Sequence, residues 1–199
     1  MALSKTAILN LALGHLGTRT TVQNIDTEAS VEAKQGKLFY DQAREQALVD
    51  FDWTFARRRL LLAAHGNAAP TTQWAFRYQY PSDCLIVRKI VNPAGEDKTR
   101  SPYQIELADN DTVSIVTDVD DAELIYTSNV ETVTLFTPHF TLALSYLLAH
   151  YLAAPLTRKQ TMIEKMLITY ERTIKLAGAH DGNQEAARPE PDALWIQDR

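Results

Sequence analysis

The residues best suited to do chemistry in this sequence are six carboxylates grouped between positions 109 and 123. They are Asp109, Asp111, Asp118, Asp120, Asp121 and Glu123. Two of them could act as a general acid and base if the fold buried them at a defined separation. Their segment is rich in turn residues, however, which favours solvated side chains. A third interpretation is that they face an anionic molecule and keep it from adhering.

A basic triplet follows directly on an aromatic stretch. The residues FDWTFARRR, at positions 51–59, place three aromatic side chains just before Arg57, Arg58 and Arg59. Three arginines could clamp a phosphate, but ion pairs with carboxylates of this chain or of another subunit are favoured. We interpret Trp53 and Phe55 as structural anchors that hold a helix end against the core. The three arginines then form a clamp between subunits.

Other reactive side chains are scattered along the chain. His139 and His150 are eleven positions apart on one predicted helix and could share a side of it, but packed or exposed histidines are favoured over a metal site. Cys84 lies in an apolar segment without an adjacent base, as expected of a buried cysteine. The sequence has no glycine-rich phosphate loop, G-x-S-x-G or H-E-x-x-H motif. We therefore predict no catalytic residue, no metal, no cofactor and no enzymatic activity.

Composition restricts the possible partners. The chain has 199 residues and a formal net charge of -5, which disfavours a protein that coats DNA nonspecifically. Its single cysteine excludes an intrachain disulfide framework and suggests folding in a reducing compartment. The most apolar segment, residues 140–154, contains Ser145 and His150, so we predict a buried helix and no membrane partner.

The elements that position these residues begin with two helices. Ser4 can cap the first helix, and Gly17 can end it. Asp26 or Thr27 can cap the second, which is predicted to run to about Asp50. On the second helix a stripe of mostly small residues recurs at spacings of three and four, which allows another helix to approach closely. The stripe consists of Ala29, Ala33, Gly36, Tyr40, Ala43 and Ala47.

Residues 57–135 show strand patterns instead. Trp74, Phe76 and Tyr78 alternate with less apolar residues, and Cys84–Val91 is a continuous strand candidate. Shorter candidates follow at 104–107, 112–116 and 123–127, separated by turn residues. Such a series predicts a small antiparallel sandwich or open barrel.

Two further helices complete the predicted fold. Thr137 and Pro138 predict the start of a central apolar helix that Pro155 ends, and a last helix stops at Gly178. We predict an α+β fold in which a strand-rich insert interrupts a four-helix bundle. The predicted domains are a helical bundle (1–56 and 136–180), a β-rich insert (57–135) and an extended C-terminal arm (181–199). The arm ends in an apolar cluster that contains Leu194, Trp195 and Ile196.

The order of several motifs resembles bacteriophage head–tail adaptor proteins. The motifs are Leu16-Gly17, Ile25-Asp26 before a helix rich in Glu and Ala, YDQAREQAL at 40–48, FDWTFARRR at 51–59, YQYPSDCL at 78–85 and LLAHYLAAPLT at 147–157. The resemblance spans about residues 4–180 and is to the tail tubular protein A group and the adaptors of gene-transfer particles. The acidic segment and the sequence of the arm do not match the family.

The resemblance implies a ring, usually of twelve subunits, that is docked below the portal protein of a capsid in the neck or tail of a virion. Such rings assemble in the host cytoplasm, extend the DNA channel without reading its sequence, and present a platform to a downstream tail or stopper protein. In this family an extended C-terminal arm often contacts the portal, which makes Leu194, Trp195 and Ile196 candidate portal-binding residues. Asp118, Asp120 and Asp121 would then line the channel.

Two alternatives belong to other functional classes. A cell-wall hydrolase could use a pair of carboxylates from the acidic segment. A DNA-binding regulator could use the first two helices as a helix-turn-helix, although the connection after Gly17 is longer than the usual turn of about 3–4 residues.

Overall fold

A computed structural model of the chain describes residues 3–66, 73–93, 101–108 and 111–182. Its helices are α1 (Lys5–His15), α2 (Val31–Asp50), α3 (Pro138–Thr157) and α4 (Gln160–Gly182). Its strands are β1 (Arg57–Leu61), β2 (Phe76–Gln79), β3 (Cys84–Val91), β4 (Tyr103–Leu107), β5 (Val113–Thr117) and β6 (Glu123–Ser128). The predicted α+β class is confirmed, since antiparallel strands lie between two pairs of helices. The predicted C-terminal arm lies outside the described residues from position 183 onward.

The central helix of the bundle is α3, which packs against α1, α2 and α4. It begins where Thr137 Oγ1 accepts a hydrogen bond from the Phe140 backbone N–H (3.3 Å), with Pro138 in the first turn. Among the described residues α3 is the one helix whose length and apolar composition would suit a membrane span. More than half of that apolar stretch is buried within the bundle, as in the core helix of a globular protein.

The small residues of α2 allow α1 to pack closely. A Cβ atom at Gly36 would lie 2.5 Å from Cδ2 of Leu9, a side chain that is fully buried. Gly36 is therefore required by the helix contact and not by the backbone conformation. The predicted stripe of small residues thus includes a site of close contact between the two helices.

The strands form two three-stranded antiparallel sheets, in the orders β1-β6-β3 and β2-β5-β4. Two single bridges, Ala64 to Tyr78 and Ile90 to Ser101, join the sheets at both sides. Side chains from both sheets fill the space between them, with Ile90, Ile115 and Leu124 completely buried. This core is separate from the larger core of the bundle.

Several element boundaries differ from the predicted ones. Helix α2 begins one turn later than predicted, because Ser30 Oγ accepts from the Ala33 N–H (3.3 Å). Pro155 does not end α3, which continues to Thr157 although the proline has no N–H to donate to the Tyr151 carbonyl. Gly178 does not end α4 either; a Cβ atom there would lie 3.1 Å from the ring of Phe51, so the glycine serves close packing.

Candidate functional site

The aromatic stretch connects the end of α2 to β1. Trp53 is 1% exposed, and its Nε1–H donates a hydrogen bond to the Ala47 carbonyl (2.7 Å) in the last turns of α2. Its ring meets those of Phe51 and Phe140 edge to face, at centroid distances of 4.9 and 5.1 Å. Phe55 packs edge to face on Phe140 at 5.1 Å. Both residues that we predicted as anchors thus lie against α3.

The three arginines each reach a carboxylate of the same chain. Arg57 binds Asp52 with two nitrogens, at 3.2 and 3.0 Å. Arg58 Nη1 lies 2.9 Å from Asp83 Oδ2, and Arg59 Nη1 lies 3.2 Å from Glu123 Oε2.

The side chains of Arg58 and Arg59 remain 62% and 61% exposed despite these pairs. Exposed pairs of this kind contribute little to stability, about 0–1 kcal/mol. Both guanidinium groups can therefore still be reached by a carboxylate of a neighbouring subunit. The clamp between subunits stays a prediction.

A basic cleft of about 700 Å³ opens beside these arginines. Its lining residues are Asp52, Thr54, Arg57, Arg58, Arg59, Arg88, Lys89 and Ile125. Five cations and one carboxylate line it, although the whole chain has a net charge of -5. The cleft can therefore hold an anionic group such as a carboxylate, for which guanidinium forks are well suited.

Arg88 is a residue of the cleft that sequence reasoning missed. Its Nη2 donates to three carbonyls at the end of α2, of Leu48 (3.2 Å), Val49 (3.0 Å) and Phe51 (2.8 Å). Burial lowers the pKa of Arg88, and nearby Asp52 opposes that shift. A cation at a helix C-terminus is stabilised by the helix dipole. The one available signal was a charged residue within the apolar strand Cys84–Val91.

Arg44 is a second residue that sequence reasoning missed, and it connects the bundle to the strand region. It is 2% exposed, and its Nη1 donates to Asn129 Oδ1 and to the Val130 carbonyl (3.0 Å), just after β6. Arg44 adjoins the small-residue stripe of α2, where a cation between Ala43 and Ala47 was the available signal. Arg44 and the partly buried Arg88 thus both connect the bundle to the strand region through charged hydrogen bonds.

The acidic segment forms exposed turns. Asp118, Asp120 and Asp121 are all exposed. Asp118 Oδ1 accepts from the Ala75 N–H (2.9 Å), and Asp120 Oδ1 accepts from the Asp121 N–H (3.0 Å). None of the three lines the basic cleft. Their exposure does not provide the buried carboxylate pair that a hydrolase requires, and their position in a channel stays a prediction.

The remaining candidates are placed as follows. His150 Nδ1 lies 2.9 Å from the Ile163 carbonyl, and His139 is exposed. Burial raises the pKa of the Cys84 thiol, which makes it less reactive. Within the described residues, no three His, Cys, Asp or Glu side chains are grouped for a metal. Asp109, Leu194, Trp195 and Ile196 lie outside the described residues.

Comparison of the chain with models of protein families and with curated proteins found no match. The site is therefore defined by its own geometry, which combines an aromatic anchor with a basic cleft at the junction of bundle and sheets.

Proposed function

We propose that this chain is a structural head–tail adaptor of a phage or phage-like particle. In this proposal its copies form a ring below the portal protein, extend the DNA channel and present a platform to the next tail protein. The observation that carries the proposal is the order of motifs along the chain, which resembles that of such adaptors. One of these motifs, FDWTFARRR, forms the junction between a helical bundle and a β insert in the fold.

The geometry of that junction supports a ring subunit. A ring needs a rigid subunit that presents two different surfaces to its neighbours. The buried Arg44 and the partly buried Arg88 connect bundle and sheets, and Trp53 anchors the segment between them on the bundle. Arg58 and Arg59 present exposed guanidinium groups at the basic cleft, where a neighbour's carboxylates could bind.

The charge distribution agrees with a channel through which DNA slides. The net charge of -5 and the exposed turn with Asp118, Asp120 and Asp121 would repel phosphate groups and prevent adhesion. DNA would pass through the lumen without sequence-specific binding. The ring would belong to the neck or tail of the particle, after assembly in the host cytoplasm.

Co-sedimentation with portal rings from the same source tests the proposal. The full-length chain and a chain truncated after Gly182 are each mixed with portal rings and pelleted at several salt concentrations. Stoichiometric pelleting of the full-length chain alone supports both the adaptor function and a portal-binding role for Leu194, Trp195 and Ile196. Pelleting of both chains supports the adaptor function but not the role of the arm. If neither chain pellets at any salt concentration, the proposal is wrong.

A further inference from the structure

An apolar groove lies between the start of α1 and the start of α3. We call it the α1–α3 groove; it has a volume of about 360 Å³ and is lined by Leu3, Leu11, Phe136, Pro138, Thr141 and Leu142. Leu11 and Leu142 are 46% and 41% exposed, although both belong to helices of the bundle. Leaving such side chains in water is unfavourable by about 25 cal/mol per Å² of apolar surface, so the groove favours an apolar occupant.

A buried hydroxyl group lies beneath the groove. Thr141 is 8% exposed, and its Oγ1 is buried without a hydrogen-bond partner among the described residues. Because this oxygen has almost no accessible surface, an occupant of the groove does not reach it. The surface that the groove offers to an occupant is therefore mainly apolar.

The chain itself contains a segment with this chemistry. Beyond α4 the sequence reads Ala193-Leu194-Trp195-Ile196. A tryptophan has a large ring that buries about 150–250 Å². Between Leu194 and Ile196 it makes a continuous apolar segment, which suits an apolar groove.

The end of α4 lies at the same end of the bundle as the groove. His150 of α3 meets Ile163 of α4 (2.9 Å), and the two helices are antiparallel. Pro138, at the start of α3, lies twelve residues or about 18 Å before His150. Counted from Ile163 in the opposite direction, α4 reaches the level of Pro138 at about Lys175 and continues to Gly182. Twelve residues then lie between Gly182 and Trp195, and the thirteen steps from one to the other can span up to about 43–47 Å when extended.

We propose that the α1–α3 groove binds Leu194-Trp195-Ile196 of the same chain in the free subunit, with the Trp195 ring covering the exposed Leu11 and Leu142 side chains. The binding itself does not depend on the adaptor function. The consequence of this binding does rest on the adaptor function. The residues proposed to bind the portal are covered by the groove until the portal competes for them. An apolar segment is thereby kept out of water before assembly.

The test uses the full-length chain labelled with ¹⁵N, without a portal. The three tryptophans give three indole N–H signals, and Trp195→Phe identifies that of Trp195. We expect its exchange with solvent to be slowed at least about tenfold relative to the unfolded chain. Leu142→Asp should abolish this protection by placing a charge in the groove. The matched control Leu176→Asp, at an exposed site on α4, should leave it unchanged.

The outcomes are distinguishable. If the Trp195 indole N–H exchanges as fast as in the unfolded chain, the proposal is wrong. Protection that disappears on dilution would assign the groove to a second copy and overturn binding within the chain. Protection that survives Leu142→Asp, while the Trp53 signal shows an intact bundle, would place Trp195 elsewhere. None of these results bears on pelleting with portal rings, so failure here and failure of the adaptor function are separate.

Discussion

At the scale of single residues, Trp53 contributes most to the junction. Its ring is buried among Phe51, Phe55 and Phe140, and its indole N–H satisfies a carbonyl near the end of α2. Truncation would therefore leave both a cavity and an unpaired carbonyl.

We predict that Trp53→Ala lowers the free energy of unfolding by about 3–5 kcal/mol, as other large aromatic truncations do. Urea denaturation of the isolated subunit measures this. Leu38→Ala, at an exposed site of α2, is the control and should change stability by less than about 0.5 kcal/mol. A loss below about 1 kcal/mol for Trp53→Ala would show that the ring is not an anchor.

Tyr40 makes the stability of the folded protein depend on pH in the alkaline range. Its side chain is buried beside α1, and its hydroxyl has no hydrogen-bond partner among the described residues. Burial raises the pKa of Tyr40 to about 12, against about 10 in an unfolded chain. The folded state thus holds the proton more tightly. This contribution to stability is present below pH 10 and is lost as the pH rises from about 10 through about 12.

Tyr40→Phe should remove this pH dependence. At pH 8 the variant should be about as stable as the wild type, because replacing an unpaired buried hydroxyl is nearly neutral. At pH 11 the variant should be the more stable protein. Urea midpoints at both pH values measure the difference, and equal losses in the two proteins would contradict the assigned role.

At the scale of elements, the contact between α1 and α2 depends on a glycine. We predict that Gly36→Ala destabilises the protein by about 1–2 kcal/mol, because overpacking against the buried Leu9 outweighs the helix propensity gained. In Gly14→Ala, on α1, the new Cβ has no atom within 4 Å. The free energy of unfolding of that variant should rise by up to about 1 kcal/mol. Thermal or urea unfolding measures both, and the same sign of change in both would contradict this explanation.

At the scale of the whole molecule, the exposed arginines connect the fold to the proposed ring. Arg58→Glu removes an exposed ion pair with Asp83 and should cost the monomer about 1 kcal/mol or less. It should impair ring formation, because it places a negative charge where a neighbour's carboxylate would bind. Sedimentation velocity measures the fraction of subunits in rings.

The matched control for Arg58→Glu is Arg172→Glu, which makes the same charge change at an exposed position on α4. It should leave ring formation intact. A normal ring from the Arg58 variant, or an equal defect in the Arg172 variant, would contradict a clamp between subunits.

Local signals in the sequence were sufficient for much of the fold. The start of α3 at Thr137 and Pro138 and the bounds of Cys84–Val91 were predicted correctly, because capping, proline and apolar continuity act within a few residues. The anchoring positions of Trp53 and Phe55 could also be inferred, because aromatic residues at a helix end usually pack on the core. The α+β class follows from the order of such signals along the chain.

Tertiary structure alone decided the rest. Residues Arg57–Leu61 form strand β1 only because β6 pairs with them, and four of the five are exposed, so no alternating pattern marks them. The arginine partners Asp83 and Glu123 lie 25 and 64 residues away. The buried Arg44 and the partly buried Arg88 find their acceptors on other elements. The sequence by itself determined the helices and most of the strands. Strand β1 and the pairing of the strands depend on contacts between distant residues, which no local pattern encodes.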